Sequence, residues 1–368
     1  MTIGIDAHVI GTRAGGNESY MRNLLRALVE FGNPSEYLAF IHSGEETHCR
    51  EEIGAIPTRA LPGRSSYVRV PLVLPYLARK LRLDLLHVQY TAPPWCPCPY
   101  IVSMHDIVAL RLPESMPYMH RHRLQRLTPR TLRRAARVFV LTEAIRDDIV
   151  RTYSLPPEKF DVVQPAIDEI FRPVTDTAVL EAMRKKYALP PRFVFYVGLL
   201  QPRKNLARLA QAFAQLRARG LDQHLVIAGK PAWLYDEMLQ TIHQLGMEDR
   251  LHFTDYIPQE DLPALFSMAD AFAYVSLYEG FGIPVLEALA CGTPTLASTD
   301  PALVEVAGGA AVHAEPHSVD AIAAALETLL TDQALRQTLR EAGPCRAATF
   351  TLERMARQAI AGYKKALS

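Results

Sequence analysis

Two carboxylates, Glu279 and Glu287, stand eight positions apart around the turn Gly280-Phe281-Gly282-Ile283-Pro284. An apolar run over residues 270–276 leads into the turn and reads as a buried strand, and a helical run over residues 285–291 leads out. Strand, glycine turn and helix together suit an anion or a polyhydroxylated ligand. Glycines let a ligand reach the backbone, and the first N–H groups of a helix have no internal partner. Pro284 fits a first helical turn because its missing N–H would be unpaired there. Glu287 falls early in the helix, where the dipole favours a carboxylate. Taken alone, two glutamates at this spacing read more often as a surface ion-pair partner and a helix-terminal charge.

Other residues carry chemistry at corresponding places. The run Gly198-Leu-Leu-Gln-Pro-Arg203-Lys204-Asn205 leaves one strand and enters a helix, so Arg203 and Lys204 sit near a helix N-terminus. Two adjacent cations there suit a phosphate group; a solvated charge pair is the plainer alternative. Ala14-Gly15-Gly16-Asn17 follows the first strand and precedes a helix, but it lacks the spacing of a P-loop or a dinucleotide fingerprint, and a simple turn explains it alone. His105-Asp106 closes the apolar run over residues 100–104; an isolated histidine there is commonly a strand-end turn residue. Thr142 and Glu143 follow another apolar run, and Glu305 lies in Pro301-Ala-Leu-Val-Glu305, where it serves equally well as a helix-terminal charge.

The elements that must position these residues alternate. Short apolar runs at residues 3–6, 37–41, 85–88, 100–104 and 137–141 are separated by amphipathic stretches such as 19–29. The pattern resumes at 193–197, 224–228, 251–253 and 271–275, with 295–297 and 311–313 completing a second set. Such alternation predicts an α/β chain with two doubly wound parallel sheets. A length of 368 residues allows two domains, with a boundary expected at residues 172/173. Open α/β sheets take ligands beyond the carboxyl ends of their strands, so two such sheets are expected to face each other across a cleft.

Composition is that of a globular protein: 49% hydrophobic, 21% charged and a net charge of +1, which argues against a general polyanion binder. The five cysteines form no regular framework. Cys96-Pro-Cys98 has the wrong spacing for a redox pair or a zinc site and reads as a loop, so a reducing, cytoplasmic compartment is expected. The first residues are too weakly apolar for a signal peptide, and no run reaches the length of a spanning helix. Residues 119–137 hold Arg121, Arg123, Arg126, Arg130, Arg133, Arg134 and Arg137 with no carboxylate between them. Read as one amphipathic helix, the stretch could meet anionic lipid at the inner face of the membrane; a solvated helix is the alternative. The run lacks stacking aromatics, so nucleic acid is not expected as a partner.

The Glu279-to-Glu287 segment, its continuation Ala288-Leu-Ala-Cys-Gly-Thr-Pro294 and the Arg203-Lys204-Asn205 loop resemble the retaining GT-B glycosyltransferases, specifically glycosyltransferase family four. The match is specific at residues 198–205 and 270–296 and diffuse elsewhere. Met104-His-Asp-Ile107 and the Gly15-Gly16 region look like bacterial polysaccharide mannosyltransferases. The resemblance implies two Rossmann-like domains, 1–172 for the acceptor and 173–351 for a nucleotide-diphosphate sugar, with residues 352–368 crossing back. It implies that Glu287 holds the ribose, that Gly198, Arg203 and Lys204 meet the diphosphate, and that Glu279 and the Phe281, Gly282 and Ile283 backbone orient the hexose. His105 would contact the sugar from the first domain, and Gly15 and Gly16 would lie against the pyrophosphate. It implies retaining transfer without metal or cofactor, from GDP-mannose by preference, to a glycan or a lipid-linked saccharide. Asp300-Pro301-Ala302 replaces the family's expected glycine before Glu305. A nucleotide-sugar epimerase and a non-catalytic sugar-nucleotide binder share the architecture.

Overall fold

The structure is a computed structural model that describes residues 1–12, 15–44, 53–63, 65–232 and 235–368. Ala14 and Cys49 lie outside the described residues. Among those described, the strands form two sheets, and every pairing is parallel. The first sheet contains β1 (Ile3–Asp6), β2 (Tyr37–His42), β3 (Thr58–Leu61), β4 (Leu85–Gln89), β5 (Tyr100–Ser103), β6 (Arg137–Val140) and β7 (Phe160–Val162). Their order is β3-β2-β1-β4-β5-β6-β7. The second contains β8 (Phe193–Val197), β9 (His224–Ala228), β10 (Leu251–Phe253), β11 (Ala271–Tyr274), β12 (Thr295–Ser298) and β13 (Val312–Ala314), in the order β10-β9-β8-β11-β12-β13.

These are two Rossmann-like sheets. In each, chain order reverses beside the first strand: between β1 and β4 in one, and between β8 and β11 in the other. Such switch points are where doubly wound sheets open a crevice beyond their strand ends. The central strands are buried along their length, in keeping with a parallel sheet covered on both faces.

Contacts divide the chain into two units. The first comprises Met1–Leu110, Tyr118–Ala166 and Phe350–Ser368; the second comprises Arg111–Pro117 and Ile167–Thr349. Within the first unit, the helix Leu352–Leu367 packs on the helix Gly16–Phe31 and on β4 to β7. Met355, Ala356, Ala359 and Tyr363 form its buried stripe at helical spacing. Gly362 allows the close approach, since a Cβ there would lie 2.3 Å from Cε1 of Phe139.

The basic run is helical over most of its length and ends in the strand expected at 137–141. The helix spans Tyr118–Arg134 and stops there, while Arg137 opens β6. Arg137 Nε donates to Asp161 Oδ2 at 2.7 Å, so its charge is spent inside the fold. β3 and β7 add an edge strand at each side of the first sheet. Cys96 and Cys98 are free thiols with sulfurs 3.9 Å apart. No described helix is long and apolar enough to cross a membrane.

Candidate active site

In the second unit the switch point between β8 and β11 carries a buried charge cluster. β8 ends at Val197, and a 3-10 turn, Pro202–Lys204, follows before the helix Leu206–Ala218. Asn205 joins turn to helix in a left-handed conformation. Its Nδ2 donates to the carbonyls of Val275 (3.0 Å) and Pro316 (2.7 Å), which pins the loop to the end of β11. The Leu277 amide donates to the Arg203 carbonyl at 2.8 Å and completes the clamp.

Three side chains converge there. Glu279 Oε1 accepts from Lys204 Nζ at 2.5 Å and lies 2.9 Å from Arg203 Nη1. Arg203 Nη1 also donates to the Tyr278 carbonyl at 3.0 Å. Lys204 donates further to the Tyr274 hydroxyl, whose ring stacks on Tyr196 at 5.9 Å. Burial would raise the Glu279 carboxyl, but the charges of Arg203 and Lys204 outweigh it and bring the group to about 2. The cluster therefore carries one carboxylate and two cations, and its surplus positive charge suits an anionic ligand.

Glu287 is set apart from this cluster. The helix Ile283–Ala290 starts two residues earlier than expected and places Glu287 in its second turn, buried. Burial first, and then the Asp168 carboxylate, push its carboxyl up to about 8. Gly282 opens the helix at φ +87°, and a Cβ there would lie 2.2 Å from Leu303 Cδ2, so the turn takes only glycine. The Phe281 ring is packed in the interior, while Ile283 is half-buried. Gly198 follows β8 directly, and its amide donates to the Ala228 carbonyl at 3.0 Å.

Asp300 and Tyr274 were not singled out as site residues in the sequence. Asp300 caps the helix Pro301–Ala307 by accepting from the Ala302 (3.0 Å) and Leu303 (3.3 Å) amides, and its other oxygen lies 3.4 Å from the Glu279 amide. Burial, then the Glu279 charge, raise its carboxyl to about 7. The motif Asp-Pro is a helix-start signal and could have flagged it. Glu305 is half-buried in that helix, with its carbonyl accepting from Arg346 at 2.6 Å. Thr142 caps the helix Glu143–Tyr153 through the Ile145 amide at 3.2 Å, and Glu143 pairs with Arg146; both have local roles.

In the first unit, Gly15 is the N-cap of the helix Gly16–Phe31 at φ +60°, beyond the end of β1. His105 lies just past β5 and is buried. Its Nδ1 is 2.8 Å from Asn17 Oδ1, and its ring meets Tyr20 edge-on at 4.6 Å. Tyr90, in the left-handed region at φ +57°, donates to Asp106 Oδ2 at 3.0 Å and sets its ring 5.3 Å from that of His105. Burial lowers His105 to about 3, so the imidazole is neutral near pH 7. Gly15, Gly16 and His105 thus gather in one unit, and Gly198, Arg203, Lys204, Glu279, Gly282 and Glu287 in the other.

Residues 180–346 match the family described as Glycosyl transferases group 1, and residues 14–170 match Glycosyltransferase Family 4. With two Rossmann-like sheets carrying these switch-point loops, the class is that of the GT-B glycosyltransferases. The chain belongs to glycosyltransferase family four. It is 30% identical over 265 residues to the O-antigen chain mannosyltransferase B of Escherichia coli, covering 72% of this chain and 70% of that one. It is 34% identical over 239 residues to the D-inositol 3-phosphate glycosyltransferase of Corynebacterium glutamicum (strain R), covering 62% of this chain and 57% of that one. A match of 30% over 239 residues to the serotype-specific mannosyltransferase WbdA of Escherichia coli covers 64% of this chain but 29% of that longer protein. Among solved structures, the fold is shared with a sucrose-phosphate synthase from Thermosynechococcus elongatus (TM-score 0.78, 21% identity, 99% of this chain and 98% of that one). It is shared also with Anabaena HepE in complex with UDP and glucose (TM-score 0.77, 19% identity, 99% of each chain). These sequence relatives are transferases, which sets the epimerase reading aside.

Proposed function

We propose that this glycosyltransferase moves a hexose, mannose by preference, from a nucleotide-diphosphate sugar to a glycan or lipid-linked saccharide with retention at the anomeric carbon. The observation that carries the reading is the cluster of Arg203 and Lys204 on buried Glu279. The cations stabilise negative charge as the sugar leaves its diphosphate, a role a divalent metal fills elsewhere. Gly198 and the backbone of Phe281, Gly282 and Ile283 contribute to holding the donor, and Glu287 takes the ribose hydroxyls. In the first unit, His105 is assigned to recognition of a sugar, and Gly15 and Gly16 to a pyrophosphate. Mannose is preferred because mannosyltransferases recur among the relatives.

Retention is part of the proposal, and the state of Glu279 bears only on its route. Its Oε1 is engaged by both cations and its basicity is low, which makes it a poor nucleophile for a covalent intermediate. Transfer then runs on one face. The C1–O bond to the diphosphate breaks with its electron pair on the phosphate, the acceptor oxygen bonds to C1, and the acceptor proton passes to the departing phosphate oxygen. A thermal-shift screen of GDP-, UDP-, dTDP- and ADP-sugars identifies the donor, because a ligand of the folded state raises the melting temperature. NMR of the product with an α-linked donor then shows an α-linkage. A β-linkage in the product overturns retention, and no stabilisation by any nucleotide sugar overturns the donor class.

We further propose that the first unit meets a membrane peripherally, on the cytoplasmic side. Tyr118 and Met119 are exposed at the start of the arginine-rich helix, and Tyr67, Leu72 and Tyr76 are exposed on the neighbouring segment. Arg123 ties the two together: its Nη1 donates to Ser66 Oγ at 2.8 Å and its guanidinium lies 4.3 Å from the Tyr67 ring centre. Exposed aromatic and basic side chains of this kind suit an anionic lipid interface. Such a location would bring a lipid-linked acceptor within reach.

A further inference from the structure

Gln89 is the last residue of β4, at the switch point of the first sheet. It is 5% exposed, and neither its carboxamide oxygen nor its nitrogen has a hydrogen-bond partner among the described residues. A buried amide without partners is costly, and such groups are otherwise nearly always satisfied. Its register neighbour on β5, Ser103, offers little relief. Ser103 Oγ already meets His87 Nε2 at 2.8 Å and Tyr20 OH at 3.1 Å, while His87 Nδ1 meets Tyr363 OH at 2.8 Å. That interior network is closed, and Gln89 stands outside it.

The chain turns sharply after Gln89. The Thr91 amide donates back to the Gln89 carbonyl at 2.6 Å, and Tyr90 takes its left-handed conformation beside His105. His105 carries a second orphan, since its buried Nε2 also lacks a partner among the described residues. With Asn17 Oδ1 accepting from Nδ1–H, Nε2 is a lone-pair acceptor and calls for a donor such as a hydroxyl. Two unsatisfied polar groups therefore lie at the carboxyl ends of adjacent strands, Gln89 as the last residue of β4 and His105 two residues past β5. No charged side chain is needed to satisfy either of them, and a neutral polyol supplies both donors and acceptors.

Resting on the reading of glycosyl transfer, we propose that Gln89 is a sugar-recognition residue whose carboxamide binds hydroxyl groups of a neutral hexose beside His105. The hexose is that of the donor or that of the acceptor saccharide. Gln89→Met, which keeps length and removes hydrogen bonding, separates this from a structural role. Titration calorimetry compares GDP with GDP-mannose, UDP with UDP-glucose, and methyl α-mannoside alone, alongside melting temperature and initial rates. Gln89→Met keeps the affinity for the bare nucleotide and loses hexose-dependent affinity or kcat/KM by roughly 10- to 100-fold. A loss confined to the nucleotide sugar assigns the donor hexose; a loss for the mannoside or in the acceptor KM assigns the acceptor. Should the Met variant fail to fold, Gln89→Asn keeps the carboxamide one methylene short and shows a smaller loss in the same quantity. Wild-type hexose affinity and rates in either folded variant, with only the melting temperature changed, overturn the proposal, as does a wild-type protein with no hexose-dependent binding. Gln89-dependent hexose binding without turnover upholds the subsite and instead overturns the transfer reading.

Discussion

Glu279 and Glu287 are the same residue type on one turn-helix segment; burial raises both carboxyls, and their neighbours send them in opposite directions. Glu279 is held charged by two cations; Glu287, buried with the Asp168 carboxylate acting on it, is pushed to about 8. The sign of the linkage follows. A carboxyl whose folded value is raised holds its proton more tightly in the folded state, so its stabilising effect is full below its unfolded value and is lost as pH rises toward about 8. Glu287→Gln should therefore melt close to wild type near about pH 4 and above it near about pH 8. Parallel melting curves across that window would show that Glu287 is not perturbed. The roles separate in kinetics as well. Glu287→Ala should weaken nucleotide binding, whereas Glu279→Ala should slow transfer by roughly 100-fold with donor affinity largely kept. Titration with the nucleotide diphosphate and single-turnover rates distinguish them.

Helix Leu352–Leu367 belongs to the first unit because its small stripe fits against β6. Gly362→Ala adds a methyl 2.3 Å from Phe139 Cε1, in a ring that is fully buried. Overpacking of about 1–3 kcal/mol opposes a helix-propensity gain of about 1 kcal/mol, so the melting temperature should fall by roughly 2–4 °C. A rise would mean that the helix has room to shift. Elements like β8, β9 and β10 were legible in the sequence to the residue, because buried parallel strands are short apolar runs between polar stretches. β3 was not legible: it is an edge strand whose middle residues face solvent, so it has no apolar run. The arginine stretch overlaps a strand at its end: Arg137 opens β6, as the apolar run 137–141 predicts, but its pairing with Asp161 of β7, a partner remote in sequence, was not legible. Arg203, Lys204 and Glu279 were legible as a motif, but their convergence on one oxygen was not. Gln89 gave no signal, since its importance lies in partners it lacks.

At the scale of the whole molecule, a chain of net charge +1 exposes Arg126, Arg130, Arg133 and Arg134 on the helix Tyr118–Arg134, which also exposes Tyr118 and Met119. If that helix meets anionic lipid, wild-type protein should float with phosphatidylglycerol-containing vesicles. A variant with Arg126, Arg130, Arg133 and Arg134 changed to serine should remain in the dense fraction. Equal flotation of both would remove the membrane from the account. The proposed transfer rests on a smaller feature, the cation pair held by Glu279. Its most direct test is transfer of radiolabelled mannose from GDP-mannose to a lipid-linked saccharide, with wild type and Lys204→Met compared at equal folded concentration. The account predicts labelled lipid product from wild type and a rate lower by roughly 100- to 1000-fold in the variant. Equal rates in the two proteins would contradict it.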